Sequence, residues 1–270
     1  MDFLARDTVS FSEEFWERID KTVVSTVKNH LIGRRVLPLF GPLGPGATSI
    51  NIDTVSVTEE DKDGFVKTNG RRFVEIPQIY EDFSILWRDI EHSDATGIPL
   101  DLSKVMLAAQ ALAQKEDRLI FFGSEFLGHE GIFTTPGVPT LPRKDWLVGD
   151  NAYTDIAAGL AMFRSKGIIG SCNLVLSPDL YVQLHRIIPG LGMTEAERIS
   201  KLLNGNVFES YVLGTNKAVL LCAEPQYMDL VVGKDIETGY LESKDFNHVF
   251  RILETVALRI KMKDAIVIFE

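Results

Sequence analysis

Five histidines, His30, His92, His129, His185 and His248, are the first places to look for metal or acid–base chemistry in this sequence. None stands four residues from another, the helical spacing that lets two imidazoles grip one ion. Glu91-His92-Ser93-Asp94 carries ligand-type side chains but reads as a solvated turn, and His129-Glu130 sits in a Gly-rich connector with no second motif beside it. No metal set can be assigned. Ser124, after Phe122-Gly123, and Ser171, after Gly170, come nearest to nucleophiles, but neither occupies a Gly-x-Ser-x-Gly elbow. Gly41-Pro42-Leu43-Gly44-Pro45-Gly46 lacks the Gly-Lys-Ser/Thr ending that holds a nucleotide phosphate, and its prolines remove amide donors. It reads as a bend. Cys172 and Cys222 lie in apolar, strand-like surroundings and are expected to be reduced, buried thiols. The residue types therefore point away from catalysis within the chain.

Composition narrows the remaining classes. The 270 residues carry a net charge of -10, with 45% hydrophobic and 24% charged residues. Phosphate neutralisation needs clustered Lys and Arg, and Arg34-Arg35 and Arg71-Arg72 are only pairs, so a broad nucleic-acid surface is not expected. Asp2, Arg6 and Asp7 break the apolar run a signal peptide would need, and about 18 consecutive apolar residues occur nowhere. A cytoplasmic protein without a membrane partner is expected.

The elements that would position any site follow from periodicity. Ser12 is a good N-cap, Phe11 and Trp16 stand where a hydrophobic staple closes, and Gly33 fits a C′ residue, which predicts a helix of about five turns. Its stripe of Trp16, Ile19, Val23, Val27 and Leu31 needs a partner surface. Ser49 to Val57 reads as a strand, Thr58 to Gly64 as a solvated tip and Phe65 to Glu75 as the return. Such an arm has too little apolar content for a core of its own. Asp101 to Phe122 and Asn151 to Lys166 read as further helices, with Gly128 to Pro142 as a connector crossing between subdomains. Residues 172–176, Lys217 to Ala223, Met228 to Gly233 and Val249 to Ile260 read as strands. In the last, Glu254 interrupts an apolar face of Phe250, Ile252, Val256, Leu258 and Ile260. Irregular alternation of this kind indicates an α+β fold.

Specific blocks carry a resemblance. Met1-Asp2-Phe3-Leu4, the first helix and Gly33-Arg34-Arg35 begin it, and Ile76-Pro77-Gln78-Ile79-Tyr80-Glu81-Asp82-Phe83 and Leu86-Trp87-Arg88-Asp89-Ile90-Glu91 continue it. Gln114-Lys115-Glu116-Asp117-Arg118-Leu119-Ile120-Phe121, Val175-Leu176-Ser177-Pro178-Asp179-Leu180-Tyr181 and Phe250-Arg251-Ile252-Leu253-Glu254 complete it. In order and spacing these resemble the shell proteins of encapsulin nanocompartments, family 1 and linocin-like, which have the tailed-phage capsid (HK97-type) fold. The resemblance implies a peripheral domain at 1–47, 77–134 and 225–248, an extended loop at 48–76, and an axial domain at 135–224 and 249–270.

It also implies a function. The chain would be a self-assembling, non-enzymatic subunit, in a multiple of sixty copies, enclosing a cargo protein that carries a C-terminal targeting peptide. A ferritin-like iron-oxidising cargo for iron storage is the first expectation and a dye-decolorising peroxidase the second. The targeting peptide would lie along Val27, Leu31, Arg34, Pro38, Val232, Asp235 and Ile236, with Arg34 fixing a carboxylate or carbonyl. Gly190, Leu191, Gly192, Met193, Thr194 and Glu195 would surround the fivefold opening, and Glu195 would attract cations. Some shells stack a flavin on a tryptophan matching Trp87. Ile79 replaces the basic residue that helps there, so Trp87 is expected to pack in the core or an interface and no cofactor is expected. The alternatives are a peptidase or bacteriocin, activities once attributed to relatives, and a phage major capsid protein. The chain starts almost directly on its first helix, without a cleavable extension, which speaks against the latter.

Overall fold

A computed structural model of the chain describes residues 3–52, 58–187 and 192–270. It opens with α1 (Glu13–His30), α2 (Gly33–Val36) and β1 (Leu39–Phe40), then an arm of β2 (Ser49–Asn51), β3 (Thr58–Lys62), β4 (Phe65–Asn69) and β5 (Phe73–Glu75). β6 (Gln78–Ile85), α3 (Trp87–Thr96) and α4 (Ser103–Phe122) follow, then the short β7 (Gly123–Ser124), β8 (His129–Glu130) and β9 (Thr140–Leu141). Next come α5 (Asn151–Ser165), β10 (Asn173–Leu176), α6 (Pro178–Leu184), α7 (Glu195–Leu203), β11 (Val207–Glu209) and β12 (Ala218–Leu221). The chain closes with β13 (Met228–Lys244), β14 (Asn247–Ile260) and β15 (Ile266–Phe269).

Two sheets organise these elements. The first has the order β1-β13-β14-β6 and carries α1 and α4; the second has the order β11-β10-β12-β15-β9. A single buried cluster runs through both, from Trp16 and Phe250 to Leu174 and Val219. The segment 249–270, expected in the axial domain, is divided between them. β14 pairs with β13 and β6 in the first sheet, and β15 pairs with β12 in the second. Alternating apolar residues announce a strand but not the sheet that will receive it.

α1 forms as its sequence dictates. The Ser12 hydroxyl accepts from the Phe15 amide at 3.2 Å, and the Phe11 and Trp16 rings close the staple with centroids 6.2 Å apart. Trp16, Ile19, Val23 and Val27 are buried, with α4 as their main partner. Each such side chain contributes about 1.5–3 kcal/mol on leaving water. Gly33 does not end this helix. Leu31 is the cap residue and Gly33 begins α2, where a Cβ would clash with Ile120 Cδ1 of α4. The glycine is favoured by the close approach of the two helices, since a larger residue would have to displace the Ile120 side chain, and not by a left-handed turn.

The arm also differs in detail. Thr58–Lys62 is a strand, paired from Thr58 with Asn69 to Lys62 with Phe65, and the turn is only Asp63-Gly64, at φ 56 and 79. Positive φ at both turn residues is what a two-residue hairpin demands, and Asp-Gly supplies it. The charged run reads as a loop because neither face of this ribbon meets a core, so no alternation is imposed on it. Residues 53–57, expected to end the first strand, lie outside the described residues.

Candidate functional site

The second half of α1, together with α2 and β1, faces an irregular stretch of β13 across a groove of about 470 Å³. Pairing of β13 with β14 slips between Val232 and Lys234 and again between Lys234 and Glu237. Such bulges bend a strand and re-aim its side chains. Asp235 and Ile236, within this stretch, line the groove opposite Val27, Leu31 and Arg34. Five of the seven expected groove residues are therefore brought together. Pro38 and Val232 do not line it: the Pro38 carbonyl accepts from the Leu230 amide at 2.9 Å, and Val232 is buried in the sheet. Val24, Lys28, Arg35 and Leu39 line it unannounced. Helical spacing could have found the first two, since positions 24, 27, 28 and 31 share one face.

Beneath the groove lies a cluster of charges. Arg34 Nε bonds both oxygens of Glu116 at 3.0 Å, Nη1 bonds Asp235 Oδ1 at 2.7 Å and Nη2 bonds Glu254 Oε2 at 2.5 Å. Glu116 and Glu254 are fully buried. One guanidinium cannot balance them and Asp235 together. Burial, followed by the neighbouring Glu116 charge, pushes the Glu254 carboxyl well above the usual range. The second Glu254 oxygen, Oε1, is buried with no hydrogen-bond partner, which leaves this carboxyl only half-satisfied by Arg34. The interruption of the β14 apolar face is thus the buried anchor of Arg34. The arginine is turned inward and fixes the groove floor, while Lys28 and Arg35 place positive charge on the groove lining.

Asp117 supports the same junction by accepting from the amides of Ile32 at 3.0 Å and Gly33 at 2.8 Å, at the start of α2. Burial outweighs those bonds and raises its pKa from 3.8 to about 7. A raised folded-state pKa means a contribution fully present below the unfolded value and lost as pH rises through the folded one. The ceiling for such a shift is about 4 kcal/mol. Asp117→Asn is therefore expected to flatten the fall in melting temperature between about pH 4 and about pH 7. Melts across that range check it, and an unchanged slope would remove Asp117 as its source.

Glu195 does not face an opening. It is 1% exposed and paired with Arg186 at 3.0 Å, and Arg186 also bonds the carbonyls of Leu147 and Gly149. The first-turn acid is consumed inside the subunit, which corrects its expected role in attracting cations. Thr194 and Glu197 form the expected capping box, and Gly192 stands at φ 65. Gly190 and Leu191 lie outside the described residues, and Met193 is half-buried. Glu195→Lys should lower stability by about 3–5 kcal/mol by setting a buried cation against the partly exposed Arg186 guanidinium. Glu195→Gln should cost far less, and thermal unfolding of the two variants separates charge from shape.

Trp87 is 42% exposed at the start of α3, so it is not a core residue. Its amide donates to Asn247 Oδ1 at 3.3 Å, and the Arg88 guanidinium lies 5.5 Å from its ring. Ile79 is buried and offers no charge to a flavin phosphate. Among the described residues, no group of three or more His, Cys, Asp or Glu could hold a metal. No helix among them is long and apolar enough to cross a membrane.

Comparison with known proteins agrees over nearly the whole chain. The profile of the Linocin_M18 family, described as "Encapsulating protein for peroxidase", matches residues 1–257. The type 1 encapsulin shell protein EncA of Myxococcus xanthus is 38% identical, covering 100% of this chain and 96% of its own. A diheme-cytochrome-encapsulin shell fusion protein of Kuenenia stuttgartiensis is 33% identical, over 97% of this chain and 74% of that protein. A ferritin-like-encapsulin shell fusion protein of Pyrococcus furiosus is 23% identical, over 95% and 68%. Among solved structures, the virus-like particle from Pyrococcus furiosus superposes with a TM-score of 0.77 at 22% identity, covering 95% of this chain and 100% of that one. The capsid of the myovirus phage XM1 reaches 0.62 at 12% identity, covering 86% and 88%.

Proposed function

The chain belongs to the encapsulin shell-protein family, and from that premise we propose that it assembles with itself, in a multiple of sixty copies, around a cargo protein. The arm is the observation that carries the assembly reading. Phe65 is 80% exposed, Val66 61% and Phe73 64%. A two-stranded ribbon is marginal in water by itself, and apolar side chains left open on it call for a covering surface. A second copy of the chain supplies one.

The groove supports the cargo reading. Val24 and Leu39 expose apolar surface beside the buried Val27 and Leu31. That pattern suits an extended C-terminal peptide that buries alternate side chains. A ferritin-like, iron-oxidising cargo is the first candidate, because a relative carries a ferritin-like protein fused to its shell. A peroxidase, named in the family's description, is the second, and the cytochrome fusion extends the range of cargo among relatives. The subunit would act in the cytoplasm as a container without catalysis of its own. The segment from Gly190 to Thr194 would border an opening, without a charge from Glu195. Phage capsids share the fold, and the family match over residues 1–257 favours the cargo shell.

The test pairs assembly with loading. Purified chain should give a light-scattering mass of at least sixty subunits, and Leu39→Asp should keep that mass while co-purified cargo falls at least about tenfold. Unchanged loading would remove the groove from cargo binding. A monodisperse monomer would remove the shell.

A further inference from the structure

Cys172 and Cys222 belong to neither the groove nor the arm, yet the second sheet brings them together. β10 and β12 run antiparallel, with Asn173 opposite Leu221 and Leu174 opposite Leu220. One further step of that register sets Cys172 opposite Cys222. The Cys172 amide donates away from β12, to the Leu203 carbonyl at 3.3 Å, as the Leu174 amide does to Asn206 at 2.9 Å. The Cys222 amide donates the other way, to the Ala265 carbonyl at 2.9 Å. With both amides turned outward this is a non-hydrogen-bonded cross-strand pair, whose Cα atoms stand about 4.5 Å apart with side chains on one face. That separation lies within the range a disulfide spans. Both thiols are free and buried, and the Cys172 thiol donates to the Gly170 carbonyl at 3.9 Å.

We propose that Cys172 and Cys222 form a redox pair, converted by hydrogen peroxide into an intrachain disulfide that clamps the second sheet. The two sulfurs are not equivalent. The neighbouring Cys222 thiol, with help from the Arg164 charge, draws the Cys172 thiol below its ordinary pKa. The neighbouring Cys172 and burial push Cys222 up. Cys172 sits one residue from the exposed Ser171, the shorter path for peroxide from solvent, and is assigned as the attacking thiolate. Its sulfur forms a bond to one peroxide oxygen as the O–O bond breaks, and the departing hydroxide takes up the released thiol proton as water. The Cys222 sulfur then attacks the resulting sulfenic acid, forming the S–S bond and releasing the second water. Two thiols and one peroxide give one disulfide and two waters. The closed loop contains α6, α7 and β11, so the bond joins both ends of the segment packed on this sheet.

Assembled wild-type particles are treated with hydrogen peroxide, quenched, unfolded and exposed to N-ethylmaleimide. The expected chain is about 2 Da lighter, resists alkylation, and yields one cross-linked peptide pair containing Cys172 and Cys222 that dithiothreitol separates. In Cys222→Ser the same treatment should leave a sulfenic acid on Cys172 that dimedone traps. Two alkylatable thiols after treatment, cross-links between chains, or sulfinic acid without a cross-link would each overturn the pair. A sulfenic acid trapped on Cys222 in Cys172→Ser, with none on Cys172 in Cys222→Ser, would overturn the assigned order.

Discussion

Arg34→Ala is expected to lower the subunit's melting temperature and soluble yield sharply at neutral pH. It leaves Glu116 and Glu254 buried without a cation and frees Asp235 from the groove floor. Breaking a buried pair by removing one partner costs about 3–5 kcal/mol, against a total stability of about 5–15 kcal/mol for a domain. The loss is one of charge, so a compensating change should recover it in part. Arg34→Met with Glu254→Gln keeps similar volumes and removes one of the two buried carboxyl groups left without the arginine. Soluble yield and thermal melting of the single and double variants measure the difference. A single variant that melts within a degree of wild type would mean that water reaches these carboxylates. Acidification should also favour the single variant, because protonation neutralises the carboxyls left behind.

Removing the arm should have an all-or-none effect on assembly and almost none on the subunit. Ser49 pairs with Glu75, and the Ile76 amide donates to the Thr48 carbonyl at 2.9 Å, so a two-residue turn can join Thr48 to Ile76. The excised strands contribute only Ile50 to the small cluster of Ile76, Val231 and Ala257. Circular dichroism should show a folded chain, and light scattering should show no closed particles. Intact shells from this variant would place the decisive contact elsewhere. Cutting Thr58 to Gly64 alone is no trimming of a tip, since it removes all of β3 and strips β4 of its partner.

How much of this was legible depends on the distance between partners. The α1 stripe, its cap and its staple are local, and they stand as the spacing indicates. The capping box at Thr194 and Glu197 is equally local. Glu195 is misread because its partner, Arg186, lies nine residues back, and nothing in the sequence says which way a first-turn acid points. Glu254 is visible as an anomaly in an apolar face, but its meaning needs Arg34, 220 residues away, and Glu116, 82 residues from Arg34. Gly33, read locally, fits the commonest position of a glycine after a helix. The true constraint, Ile120, is on another helix. The groove was located by resemblance, and its missing members on α1 follow from the helical period. Leu39 does not, because two residues of strand carry no period.

The unbroken core has a further consequence for how such a subunit can meet its neighbours. With side chains interlocked from Trp16 through Phe269, the angle between the two sheets is fixed by packing. Each copy is a rigid tile. Any closed surface built from tiles must take up differences in local curvature at its joints. In this chain the parts free to do so are those outside the common core: the arm, with its own isolated pairings, and exposed turns such as Phe126 at the β7–β8 tip. The radius of the container is then a property of these joints, and exchanging an arm between two shells should transfer size without altering the tile.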